Sequence, residues 1–258
     1  MKRLLLFLAF CIPIYLFAQG FGSFSHDQPY FAKDRVSASG RWWPTNTANQ
    51  MFIWLELTPI LSAGKDFTTG DGVGINHWTN LVSGSLFNAD GAFPTNYTSG
   101  GGGNGTSPRV DFTSSSSTRM ESQDFGKPTA TFIVVANSST PAAEQFIFVN
   151  GSGIPPYLRY RNSSLEISAG TLLSTPATIT NDYYVITAVF NGASSRIDTN
   201  GVTAASGNAG STSFGAAYLA QWQLYKGNIC RVWAWTNILT TAEESSAVAQ
   251  CKIDFGIP

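Results

Sequence analysis

Three Asn-Gly dipeptides, Asn150-Gly151, Asn191-Gly192 and Asn200-Gly201, each follow a run of β-forming residues, and this repetition constrains the fold more than any other feature. Both residues tolerate the positive φ of a type I′ turn, so Asn-Gly after a β-rich run marks an antiparallel hairpin. The runs are Phe146-Ile147-Phe148-Val149, Tyr183 to Phe190, and Ser195-Arg196-Ile197-Asp198-Thr199. The middle of the protein therefore reads as successive antiparallel strands. Ala130 to Ala136 is apolar without alternation, which predicts a strand buried on both faces near the centre of a sheet. Gly100 to Gly105 reads as a flexible insertion between Tyr97 and a strand at Arg109-Val110-Asp111-Phe112, and Ser114 to Thr118 as a solvated loop.

Helical periodicity is confined to the end of the chain. Thr240 followed three residues later by Glu243 is a capping box, in which hydroxyl and carboxylate satisfy two orphan amides at a helix start. Ala247, Val248 and Cys251 then share one helical face, and Lys252 sits near the negative end of the helix dipole. The helix is expected to end near Gly256. Glu243-Glu244 is accounted for by capping rather than by catalysis.

The first residues carry a processing signal: Lys2 and Arg3, an apolar run from Leu4 to Phe17 broken by Pro13, and the small Ala18. That run is too short for a membrane span, and no later segment is apolar for long enough. The expected division is a signal peptide at 1–18, an N-terminal arm or first strand at 19–45, and one domain at 46–258. The expected location is extracellular or at the cell surface. Cys11 leaves with the signal, and the bulky Phe10 before it is unlike a lipoprotein signal. Cys230 and Cys251 remain, and an even pair in an oxidising compartment predicts a disulfide. On the chain-entropy model that bond contributes roughly 3 kcal/mol.

Only 12% of residues are charged, and Lys2 and Arg3 go with the signal, leaving acids in slight excess. There is no basic field for nucleic acid or anionic lipid. The polar surface is one of hydroxyls and amides.

The ordered blocks resemble the laminin-G-like branch of the concanavalin A-like lectin/glucanase superfamily. They are Met51 to Glu56, Gly70-Asp71-Gly72-Val73, Trp78-Thr79-Asn80, Arg109 to Phe112, Thr131 to Ala136, Thr187 to Gly192, Asp198 to Val202, Gly227 to Trp235 and Leu239 to Glu244. The resemblance spans residues 46 to 258 and implies an all-β jelly-roll sandwich of two antiparallel sheets with a short C-terminal helix. Two departures bear on ligands. Leu81 to Ser85 lacks the acid many relatives carry there, and the Gly100 insertion is longer than the family pattern.

The glucanase branch of this superfamily sets its catalytic carboxylates two residues apart on one strand, where the strand period puts them on one face. Retention needs them about 5 Å apart. No i, i+2 acidic pair exists among the 16 Asp and Glu residues. Glu121 with Asp124 is the nearest arrangement. The chain is thus expected not to be an enzyme, with a glycoside hydrolase or polysaccharide lyase as the alternative. The two histidines, His26 and His77, lack a nucleophile-elbow partner. His77 reads as a loop residue. No cofactor is expected; Asp66 and Asp71 are weak candidates for calcium, which takes oxygen ligands from loops.

Aromatic rings are the remaining candidates, since the apolar face of a pyranose packs on a flat ring while amides and carboxylates take its hydroxyls. Tyr157, Tyr160, Trp222, Tyr225 and Trp42 are the candidate ligand-binding residues; Trp54, Trp233 and Trp235 are expected in the core. The expected function is a secreted, non-catalytic module binding a glycan or an extracellular or cell-surface protein. A structural, adhesive or assembly subunit is the alternative. The oligomeric state is not legible in the sequence.

Overall fold

A computed structural model describes residues 51–56, 74–75, 77–82, 86–89, 95–103, 105, 107–112, 120–127, 129–151, 154–220 and 225–258. The signal, the arm, the solvated loop, His26, Trp42, Asp66, Asp71 and Trp222 lie outside these residues, as does the side chain of Trp54. The described residues form a sandwich of two antiparallel sheets with one C-terminal helix, as the sequence predicts.

One sheet contains β1 (Met51–Glu56), β2 (Gly74–Ile75), β5 (Thr95–Gly102), β6 (Ser107–Phe112), β8 (Ala130–Ser138), β13 (Tyr184–Phe190), β14 (Ser195–Thr199), β15 (Val202–Gly207) and β17 (Gly227–Trp235). Its order is β15-β14-β13-β8-β17-β6-β5-β2, and β1 pairs with β17 beside β6. The other contains β3 (His77–Thr79), β4 (Leu86–Ala89), β7 (Met120–Lys127), β9 (Gln145–Asn150), β10 (Ile154–Arg161), β11 (Ser164–Ser168), β12 (Leu172–Ser174) and β16 (Phe214–Leu219), in the order β12-β11-β10-β9-β16-β7-β4-β3. His77 thus lies in a short strand paired with β4, not in a loop.

Asn200 and Gly201 both have positive φ between β14 and β15, as the type I′ reading requires. Asn191-Gly192 leads instead into a single 3-10 turn, Gly192–Ser194, before β14. The β10–β11 hairpin turns on Asn162 and Ser163, both at positive φ. Asn-Ser was not a turn signal in the sequence because serine adopts that region less readily.

Between the sheets, β8 contributes Phe132, Val134 and Ala136, and β17 contributes Ile229, Val232 and Ala234. The alternate residues Ile133, Val135, Trp233 and Trp235 lie on the outer face under α1 (Thr241–Phe255). The continuous apolar run at 130–136 therefore has two cores to serve. The capping box forms as expected, with Glu243 N–H donating to Thr240 Oγ1 at 3.3 Å and Thr240 N–H to Glu243 Oε2 at 2.9 Å. Gly256 closes the helix at φ 59°. Ala247, Val248, Cys251 and Phe255 face the sheet.

The expected Cys230–Cys251 disulfide is not formed; both residues are buried thiols. The pairing of β17 with β8 slips between Ile229 and Arg231. That bulge turns Cys230 and Arg231 in succession toward the helix face. It is Arg231 that meets Cys251, with Nη1 donating to Sγ at 3.2 Å. Cys230 instead lies by Gly102, where an added Cβ would stand 2.9 Å from its Sγ. Burial pushes the Cys230 thiol well above its ordinary pKa.

The glycine insertion is likewise structural. β5 runs through Gly102, and the turn packs against the end of α1, where a Cβ on Gly103 (φ 56°) would collide with the Phe255 carbonyl oxygen. The glycines let two backbones meet. Gly103→Ala is expected to destabilise the protein by about 1–3 kcal/mol through overpacking at a left-handed position, read by urea denaturation.

Candidate functional site

The described aromatic candidates do not form an open platform. Tyr160 alternates with Tyr157 along β10 and points inward with Leu158, while Tyr225 packs between the sheets; both are buried. Their ring centroids are 6.3 Å apart. Tyr157 lies on the outer face of the eight-stranded sheet but is also buried. Arg159 places its guanidinium carbon 4.5 Å from the Tyr157 centroid, and Phe146 packs against the same ring at 5.5 Å and 84°. Arg159 is in turn paired with Glu166 at 2.7 Å and with Glu144. The guanidinium and Phe146 have taken the surface a sugar would need. Of the nearest acidic pair in the sequence, Glu121 accepts a 2.6 Å hydrogen bond from Tyr218 Oη; the side chain of Asp124 lies outside the described residues.

A different constellation forms on the outer face of the nine-stranded sheet, beside α1. In β6, Val110 and Phe112 are core residues, so strand alternation sends Arg109 and Asp111 outward. Thr98 of β5 pairs with Arg109, and Asn228 of β17 pairs with Asp111 and with Asn137 of β8. Pairing thus aligns polar side chains across four adjacent strands.

Asp111 is the centre. Its Oδ1 accepts from Arg109 Nε at 2.7 Å and from Asn228 Nδ2, and its Oδ2 accepts from Thr98 Oγ1. Asn228 Oδ1 accepts from Tyr183 Oη at 3.1 Å, and Asn228 N–H donates to Asn137 Oδ1 at 2.9 Å. Asn137 Nδ2 donates to the Asn181 carbonyl at 3.3 Å. Burial works against charge on Arg109, but Asp111 and the Tyr183 hydroxyl outweigh it, so the pKa of Arg109 lies above its ordinary value. Burial, foremost, raises that of Tyr183.

Solvent reaches the stripe: the side chains of Arg109 and Asp111 are 27% and 19% exposed. Carboxylate, amides, hydroxyls and a guanidinium are held in fixed orientation with both signs of charge balanced. Such an array can exchange hydrogen bonds with a ligand rich in hydroxyls at little ordering cost. The sequence carried one signal for it, Arg109-x-Asp111 alternating on one strand with the core residues Val110 and Phe112. Asn228 and Asn137 gave none, because only strand pairing makes them neighbours. Among the described residues there is no group of three or more His, Cys, Asp or Glu residues able to hold a metal, and no helix long and apolar enough to cross a membrane.

No family model matches the chain, and no curated protein does. Solved structures share its shape at low identity. The binding domain of Paraclostridial Mosquitocidal Protein 1 superposes with a TM-score of 0.53 at 11% identity, over 78% of this chain and 52% of that one. Domain 4 of AbnA, a GH43 extracellular arabinanase from Geobacillus stearothermophilus, in complex with arabinotriose, gives 0.48 at 11%, over 61% and 82%. Trypanosoma rangeli sialidase gives 0.49 at 13%, over 77% and 36%. The chain thus spans about half of the mosquitocidal binding domain and about a third of the sialidase. Of these, the mosquitocidal binding domain bears on fold alone, that of a β-sandwich, and none of the three supports the laminin-G branch in particular.

Proposed function

We propose that the protein is a secreted, non-catalytic binding module of the laminin-G-like kind, and that it takes a glycan on the stripe formed by Thr98, Arg109, Asp111, Asn137, Tyr183 and Asn228. The observation that carries this reading is Asp111, a partly exposed carboxylate oriented by three donors on a sheet face. A sugar hydroxyl can donate to the lone-pair site left on its Oδ2 and accept from the neighbouring amide or guanidinium. The mosquitocidal domain of the same fold is itself named a binding domain. The absence of catalysis fits an Asp111 whose oxygens are already engaged by Arg109, Asn228 and Thr98. It also fits Glu144 and Glu166, which are both paired with Arg159.

Glycan-array or polysaccharide pull-down measurements test this. The full chain is expected to retain at least one carbohydrate. Asp111→Ala is expected to weaken that binding about 10- to 100-fold, the range for losing a hydrogen bond to a charged group. Thr98→Val, which leaves the carboxylate in place, is expected to cost less. Retention of no carbohydrate sinks the reading, as does unchanged affinity in a folded Asp111→Ala protein.

A further inference from the structure

A second polar cluster lies beneath the first turn of α1, with its two carboxylates buried and its arginine side chain 28% exposed. Arg196 and Asp198 alternate along β14, so both project toward the helix, where Glu244 comes down to meet them. Arg196 Nε donates to Asp198 Oδ2 at 2.9 Å, and its Nη2 donates to Glu244 Oε2. Asp198 is 3% exposed and Glu244 8%. Asp198 Oδ1 is buried without a hydrogen-bond partner, and so is Oγ1 of Thr187, the residue opposite Asp198 on β13.

Two carboxylates against one guanidinium leave a negative charge uncompensated in a buried space and an acceptor oxygen with no donor. Burial of either defect is costly. One proton removes both: a neutral Glu244 cancels the excess charge, and its O–H becomes a donor for Asp198. We propose that α1 is latched to β14 by a carboxyl–carboxylate pair in which Glu244 and Asp198 share one proton, and that the latch weakens as rising pH removes that proton.

The surroundings agree. Burial first, then the neighbouring Asp198 carboxylate, push the Glu244 carboxyl up to about 7, with Arg196 opposing. The helix N-terminus favours a carboxylate there, and burial outweighs it. Among the described residues, the charged groups facing Glu244 are Arg196 and Asp198 of β14. β8 and β13 turn Ile133, Val135, Val185 and the neutral Thr187 toward the helix. On α1 itself, Glu243 is engaged with Thr240. An acid whose folded pKa is raised binds its proton more tightly folded than unfolded. Its contribution is complete below the unfolded value and is lost between roughly pH 4.5 and pH 7.

The test is urea denaturation of the full chain from pH 5 to pH 8 at constant ionic strength, with amide exchange in α1 to localise the change. The wild-type folding constant is expected to fall with pH by up to about tenfold per unit, the limit for one proton, and to level above about pH 7. Glu244→Gln, neutral and able to donate as the protonated acid does, is expected to flatten the slope. At pH 8 it is expected to fold at least as favourably as wild type. The proposal is overturned by a flat wild-type profile, by an equal slope in Glu244→Gln, or by a Glu244→Gln protein that folds less well than wild type at pH 8. A slope present in sodium or potassium and absent in tetramethylammonium overturns it in favour of a bound cation.

Discussion

Asp254→Ala is expected to lower the free energy of unfolding by about 3–5 kcal/mol, the cost of removing one partner of a buried ion pair. Arg231 is fully buried and Asp254 nearly so, with Nη2 and Oδ2 2.6 Å apart. The guanidinium is also stacked, its central carbon 4.1 Å from the Trp233 ring centroid and 4.8 Å from that of Phe255. In the alanine variant arginine cannot escape by losing its proton. Nor can it reach water without unpacking Trp233 and Phe255, the contacts that seat α1. Gln250, which donates to Asp254 Oδ1 at 2.8 Å, loses the same acceptor. Replacing both members, as Arg231→Met with Asp254→Leu, is expected to cost far less, because a desolvated pair contributes little net stability over apolar residues of similar volume. Urea denaturation of the two single variants and the double variant gives the coupling directly. A loss below about 1 kcal/mol for Asp254→Ala would falsify a dry, paired Arg231.

That pair shows where sequence reading stops. The capping box, the β14–β15 turn and the two-faced strand at 130–136 were legible because each rests on local chemistry within a few residues. Arg231 was hidden, since a charged residue between Cys230 and Val232 reads as a surface position until the bulge turns it under the helix. The same bulge removed the expected disulfide by putting a guanidinium where the second sulfur was expected. Tyr160 and Tyr225 are spaced like surface rings but obey an inward alternation set by β10 and the core. The stripe was half legible: Arg109 and Asp111 share a strand, whereas Asn137 and Asn228 meet only through pairing of strands distant in the chain. Glycines 100 to 103 misled for a related reason. A glycine run looks flexible in isolation and becomes a close approach only when Phe255 is known to lie against it.

Phe132→Ala is expected to produce a loss of similar size, about 3–5 kcal/mol, by a purely apolar route. Phe132 projects from β8 into the space between the sheets, with ring centroids of Phe148 at 4.6 Å, Phe214 at 5.2 Å, Phe190 at 5.8 Å and Phe52 at 5.9 Å. Phe52 and Phe190 come from its own sheet; Phe148 and Phe214 come from the other, so one ring joins both layers. Truncation removes these contacts and leaves a cavity that four rings on separate strands cannot collapse to fill. Phe132→Leu keeps most of the volume and is expected to cost under about 1.5 kcal/mol. Ile253→Ala, at a helix position 74% exposed, is expected to change stability by no more than about 0.5 kcal/mol. Because Phe132 points away from Asp111, any ligand of the stripe should bind the folded Phe132→Leu protein with wild-type affinity. Denaturation and binding measured on the same three proteins separate the two roles: an affinity that fell with Phe132→Leu would mean that the stripe and the inter-sheet core are not independent.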